Sequence, residues 1–163
     1  MFNKLFSKNI SESIFAYASG DLVKIEDIPD PVFSQKLMGE GVAILPSNGQ
    51  IFAPVDGEII LIAETKHAFA LRTALGEEIL IHIGLETMNL NGQGFNFHIK
   101  LGDKVKKGQI IVEADLDFIK ENASSTIIPM IITNSNEDRF NFKWEDINKV
   151  KAGETKLFET QLK

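Results

Sequence analysis

The run Ile14-Phe15-Ala16-Tyr17-Ala18-Ser19-Gly20-Asp21-Leu22-Val23 returns 37 residues later as Ile51-Phe52-Ala53-Pro54-Val55-Asp56-Gly57-Glu58-Ile59-Ile60. Both copies read I-F-A, three variable residues, a glycine, an acid and two aliphatics. Two copies are too few for a solenoid. They fit a β-domain built from a repeated strand–turn–strand unit, in which each glycine supplies a backbone conformation that other residues resist. Further short β-rich runs lie at 42–45, 67–73, 78–83, 110–114, 127–132 and 157–162, broken by Gly, Pro, Asn and Asp. Their spacing of about 8–14 residues predicts an all-β antiparallel sandwich or barrel with an internal pseudo-repeat.

Helix is expected in short pieces only. Asp30 to Met38 carries Pro31 where a first helical turn tolerates it. Asp115 to Asn122 is a second candidate, and residues 137–148 hold a third. With no Pro-, Gly- or Ser-rich linker, residues 14–163 read as one domain behind a flexible or weakly amphipathic tail, 1–13. At 163 residues the chain suits one well-buried core.

A net charge of −6 argues against a nucleic-acid binder, which needs a basic surface to neutralise phosphates. The absence of cysteine excludes disulfides, thiolate zinc sites and cysteine nucleophiles. The start lacks the apolar core of a signal peptide and no run is long enough to cross a bilayer, so a cytoplasmic protein is expected. Phe2, Leu5 and Phe6 share one helical face beside Lys4 and Lys8, which allows at most weak membrane-surface contact.

Two histidines stand out against this background. His67 lies in Thr65-Lys66-His67-Ala68-Phe69 and His82 in Ile79-Leu80-Ile81-His82-Ile83-Gly84, with Ala74-Leu75-Gly76-Glu77 as the turn between them. Facing imidazoles can carry a phosphoryl group, bind a metal, or do neither. On a strand, side chains alternate, so Thr65, His67 and Phe69 are expected on one side and Leu80 and His82 on one side, with Ile79, Ile81 and Ile83 in the core. A two- or four-residue loop puts both imidazoles on the same face. A three-residue loop closed by Gly76 reverses that relationship, and the local residues leave the choice open.

The wider pattern goes further. Glu26-Asp27-Ile28-Pro29-Asp30-Pro31-Val32-Phe33-Ser34, Gly39-Glu40-Gly41-Val42-Ala43-Ile44, Ala53-Pro54-Val55-Asp56-Gly57, Thr65-Lys66-His67-Ala68-Phe69, His82-Ile83-Gly84-Leu85-Glu86-Thr87 and Asn91-Gly92-Gln93-Gly94-Phe95 follow one another in order. Together they resemble the glucose-family enzyme IIA of the bacterial sugar phosphotransferase system. That resemblance implies an antiparallel β-sandwich and a phosphotransferase component with a phosphohistidine intermediate. It puts the phosphoryl group on Nε2 of His82, makes His67 the supporting histidine, has Thr65 orient His67, and has the Gly84 carbonyl hold Nδ1–H of His82. It also favours an even-length hairpin loop. The implied partners are HPr as donor and the cysteine of a IIB domain as acceptor, with Phe69 and Leu80 as apolar rim residues for docking. Two positions depart from the family pattern: Glu86 replaces a common aspartate, and Tyr17-Ala18-Ser19-Gly20 replaces a proline-containing turn.

Other functions draw on parts of the same pattern. A regulatory module that reports its phosphorylation state to transporters or glycerol kinase is compatible with the same resemblance. In such a complex His67 and His82 hold zinc only with a partner-supplied ligand, and the carrier itself requires no cofactor. A zinc peptidase of related β fold needs three protein ligands and typically shows a His-x-His pair, which is missing here. His98 reads as a structural or surface residue, and Gly102 to Gln109 as a hairpin turn like those of biotinyl and lipoyl carriers. Phe140, Phe142 and Trp144 read as core or cover.

Overall fold

A computed structural model describes residues 10–163, so the face formed by Phe2, Leu5 and Phe6 lies outside the described residues. Among the described residues fourteen strands dominate, all paired antiparallel. In chain order they are β1 (Ser11–Phe15), β2 (Gly20–Lys24), β3 (Glu40–Pro46), β4 (Gln50–Phe52), β5 (Gly57–Ile62), β6 (Ala68–Thr73) and β7 (Glu78–His82). They continue as β8 (Phe95–Phe97), β9 (Lys104–Val105), β10 (Ile110–Ala114), β11 (Ile128–Ile132), β12 (Phe140–Trp144), β13 (Lys149–Val150) and β14 (Lys156–Leu162). The helices are α1 (Pro31–Ser34) and α2 (Leu116–Asn122). An eight-stranded sheet of order β13-β2-β3-β11-β7-β6-β5-β9 is accompanied by two three-stranded sheets, β1-β14-β12 and β4-β10-β8.

The repeated segments face each other. Phe15 N–H donates to the Pro54 carbonyl and Phe52 N–H to the Tyr17 carbonyl, both at 2.8 Å, so each copy binds the other through equivalent atoms. A second echo, hidden at sequence level by its shortness, joins them. Gly108 N–H donates to the Ala53 carbonyl and Gly153 N–H to the Ala16 carbonyl, each at 2.9 Å. These glycines end Lys104-Val105-Lys106-Lys107-Gly108 and Lys149-Val150-Lys151-Ala152-Gly153. Their strands pair at matching places: Val105 opposite Gly57 and Val150 opposite Gly20. The large sheet therefore reads the same from both ends, with the Met130–Ile81 pair at its middle.

Inward-facing residues of all three sheets, among them Ile14, Ile44, Ile51, Phe69, Leu71, Ile81, Ile111 and Phe158, are fully buried in one core. Each such side chain contributes about 1.5–3 kcal/mol when taken out of water. Tyr17, which stands where its repeat partner has Pro54, is also fully buried, and its hydroxyl donates to the Ile128 carbonyl at 2.6 Å. A buried hydroxyl so satisfied avoids the cost of an orphaned polar group.

Three expectations change. The sheet starts at Ser11, ahead of the expected edge at residue 14, because Ser11 to Ile14 pair with β14. Residues 137–148 hold β12, Phe140–Trp144, rather than a helix. Phe140, Phe142 and Trp144 alternate with Asn141 and Lys143 at period two, and Phe142 and Trp144 pack on Phe158 with ring centroids 6.0 and 4.4 Å away. The first helix is shorter than 30–38. Asp30 caps it by accepting from Val32 N–H at 2.9 Å, but it stops at Ser34 and the chain turns at Lys36, whose φ is +59°.

Candidate functional site

The β6–β7 hairpin carries both histidines. Its register pairs Arg72 with Glu78 and Ala68 with His82, which leaves three residues, Ala74, Leu75 and Gly76, in the loop. Gly76 N–H donates to the Thr73 carbonyl at 3.0 Å and Thr73 N–H to the Glu77 carbonyl at 2.9 Å. Gly76 closes the turn at φ +95°, a conformation open to glycine. The even-length loop favoured by the resemblance is thus corrected: the loop is odd.

The imidazoles meet nonetheless, with centroids 4.9 Å apart and planes at 76°. His82 ends β7 on the face that carries Ala68, Ala70 and Leu80, while Ile79, Ile81 and Ile83 enter the main core as expected. His67 lies before the first residue of β6 and follows Lys66, whose φ is +62°. Its carbonyl still accepts from Ile83 N–H at 2.7 Å, but the two-residue alternation does not run through a left-handed residue. The reversal made by the odd loop is undone there. Phe69 stays on the regular strand and is fully buried against Phe97, so it is no rim residue and does not share a side with His67. Leu80 is nearly covered in a cluster with Ala68, Ala70, Met38, Ile60 and Ala63. Exposed apolar side chains stand instead at Val32, beside Phe33, and at Met88, in the 3₁₀ turn Thr87–Leu90.

Each ring is held at Nδ1. The Gly84 carbonyl lies 2.7 Å from Nδ1 of His82. A carbonyl can only accept, so Nδ1 carries the proton and the neutral ring leaves Nε2 as a free lone pair. Thr65 Oγ1 lies 2.7 Å from Nδ1 of His67. Burial pushes the pKa of both histidines below the ordinary imidazole value. For His82 the Gly84 hydrogen bond opposes that shift, the neighbouring His67 adds to it, and the Asp30 carboxylate partly offsets it. Both rings are therefore biased toward the neutral form at pH 7.

Sequence reasoning missed two contributors inside a segment it had singled out. Phe33 of α1 stands edge-on to His82, centroids 5.3 Å apart, and is buried in a second cluster with Ile25, Ile28 and Leu85. Asp30 caps that helix and directs its charge toward His82. Nothing local in the sequence linked α1 to a strand about 50 residues on. His98 sits elsewhere, paired with Glu113 at 2.8 Å, in keeping with a surface role. Glu86, at φ +60°, accepts a hydrogen bond from Ser124. Among the described residues no three His, Asp or Glu side chains gather as a metal-binding group, and with both Nδ1 atoms engaged the pair offers zinc two nitrogens.

Residues 12–138 match the family model described as phosphoenolpyruvate-dependent sugar phosphotransferase system, EIIA 1. The chain belongs to this family. It is 47% identical over 167 residues to the glucose-specific EIIA component of Halalkalibacterium halodurans, covering 96% of each chain. It is 49% identical over 129 residues to the glucosamine-specific EIICBA component of Bacillus subtilis, where it spans 78% of this chain and 20% of that much longer protein. Glucose permease IIA from Mycoplasma capricolum has the same fold, with a TM-score of 0.86 at 31% identity over 93% of this chain and 97% of that one. The expected all-β fold with its pseudo-repeat and the family reading both hold, and the protein is a phosphoryl carrier of the sugar phosphotransferase system. Among the described residues no helix is long and apolar enough to cross a membrane.

Proposed function

We propose that His82 is the phosphoryl acceptor and that the group enters at Nε2 from the phosphohistidine of HPr. The hydrogen bond from Nδ1 of His82 to the Gly84 carbonyl carries this reading, because it leaves Nε2 as the unprotonated nitrogen of the ring. In the first step a bond from Nε2 to phosphorus forms as the N–P bond on HPr breaks. In the second the phosphoryl group leaves Nε2 for a cysteine thiolate of a IIB domain, since this chain has no cysteine. The IIA region shared with a single EIICBA polypeptide supports a permease of that kind as the partner.

His67 supports the transfer. With Thr65 O–H donating to Nδ1, His67 carries its proton on Nε2 and donates it to the phosphoryl oxygens as their charge develops. Phe33 and the Ala68–Ala70–Leu80 cluster keep water away from the labile N–P bond. The partner supplies positive charge that two neutral imidazoles lack. The protein works in the cytoplasm, where HPr and the IIB domain meet it. Zinc is held only when a partner adds a carboxylate to the two histidines. Transporters and glycerol kinase, as regulatory partners, dock over the same corner.

Incubation with enzyme I, HPr and labelled phosphoenolpyruvate tests the central step. One acid-labile phosphate is expected, mapped to the peptide containing His82. Equal incorporation by His82→Ala sinks the proposal.

A further inference from the structure

Resting on the assignment of His82 as acceptor, we propose that Thr87 is a positioning residue that holds the Gly84 carbonyl in place and so selects the reactive tautomer of His82. Thr87 is fully buried, and its hydroxyl donates to the Ile83 carbonyl at 2.6 Å. The Ile83 N–H is already engaged by the His67 carbonyl at 2.7 Å, so both polar groups of Ile83 are tied. The methyl of Thr87 presses on the next residue: a Cβ at Gly84 would come within 2.6 Å of Thr87 Cγ2 and 2.9 Å of the Ser125 carbonyl. The hydroxyl thus holds the Ile83–Gly84 peptide at its oxygen, while the methyl only fills the space beside the following Cα.

The far side of Gly84 is pinned separately. Leu85 N–H donates to the Ser125 carbonyl at 3.0 Å, and Ser124 N–H to the Leu85 carbonyl at 3.2 Å. Gly84 itself sits at φ +79°, where its lack of a side chain makes it free to rotate. Without the Thr87 hydroxyl the Ile83 carbonyl loses its partner in a buried place, and rotation of the Ile83–Gly84 peptide toward another donor swings the Gly84 chain with it. Among the described residues, the Gly84 carbonyl alone distinguishes Nδ1 from Nε2 of His82 by hydrogen bonding. Loosening it allows the proton to move to Nε2, where it blocks phosphoryl transfer.

The test compares Thr87→Val, which keeps the methyl shape and removes the hydroxyl, with Thr87→Ser, which does the opposite. Nitrogen-15 shifts of His82 in the unphosphorylated full chain at pH 8 report the tautomer. The Nε2–H form is expected to rise several-fold in Thr87→Val and to stay at the parent level in Thr87→Ser. Phosphoryl acceptance from phospho-HPr should fall about tenfold in kcat for Thr87→Val, with the KM for HPr changed less than about twofold, and recover in Thr87→Ser. An unchanged tautomer in folded Thr87→Val overturns the proposal. If Thr87→Val does not fold, a tautomer shift in Thr87→Ser overturns it equally. Phosphate mapped away from His82 in the parent protein would remove the assignment of the acceptor, while the tautomer comparison still decides the role of Thr87.

Discussion

Carrying the strand registers across the palindromic sheet matches Pro46, opposite Gly20, with Thr73, opposite Gly57. Five residues earlier on each strand, Gly41 lies opposite Ile131 and Ala68 opposite His82. Ile131 is therefore the counterpart of His82, and Glu40 that of His67. Even the positive φ recurs, at Gly39 before Glu40 and at Lys66 before His67. The contents differ completely. Ile131 is fully buried in an apolar cluster with Phe33 and Leu85, and Glu40 makes an exposed ion pair with Lys36 at 3.4 Å. The topology offers two equivalent corners, and the side chains make one of them reactive. Apolar filling at Ile131 also gives Phe33 a rigid base from which to reach His82 in the other half.

Exchanging the roles of these corners gives the largest contrasts. His82→Ala should abolish phosphate incorporation with little loss of stability. Ile131→Ala should leave incorporation intact while lowering stability by about 2–5 kcal/mol, measured by denaturant unfolding. Phosphorylation lost in the folded Ile131→Ala protein would break the distinction between chemistry and packing. Next in size is His67→Ala, which should still accept phosphate but pass it to a IIB cysteine about 100-fold more slowly in rapid-quench transfer. Its counterpart Glu40→Gln should change transfer by less than about twofold and stability by no more than about 0.5 kcal/mol, as an exposed pair contributes little.

A smaller effect tests the hairpin's far end. There Glu77 is fully buried, its carboxylate accepts from Thr160 O–H at 2.6 Å, and burial with the nearby Glu12 charge raises its pKa to about 7. Thr73 and Thr160 oppose the shift and Asp56 acts on Glu12. Because the folded pKa lies above the ordinary 4.5, the fold favours protonated Glu77. That stabilisation is full below about pH 4.5 and is lost as pH rises through about 7. Glu77→Gln imitates the protonated form, so its Tm should gain on the parent between pH 5 and pH 8, by about 4 °C or more. A constant difference across that range would show that Glu77 does not titrate there.

The fold was largely legible because it rests on local rules. The I-F-A repeat announced the two facing units, and Pro31 marked the start of the first helix. Residues 137–148 misled because their aromatic residues fit a strand only once β14 supplies Phe158 to pack on. At the site, both histidines stood out by their place in two strand-like runs, the roles of Thr65 and Gly84 came from the family pattern, and the structure puts all four together. Phe33, Asp30 and Thr87 acquire their roles through contacts between distant or sharply turned segments, which spacing does not encode. The hairpin shows the same limit. Two departures from regularity, the three-residue loop at Gly76 and the left-handed Lys66, cancel to bring the imidazoles together, and a period-two argument sees neither.

The central claim is that the locked Nδ1 of His82 directs the phosphoryl group to Nε2 of that residue. Phosphorus-31 and nitrogen-15 NMR of the freshly phosphorylated, isotope-labelled protein measures this directly. The predicted result is a single phosphohistidine with phosphorus coupled to Nε2 of His82. Coupling to Nδ1, or a phosphoryl group on His67, would contradict it.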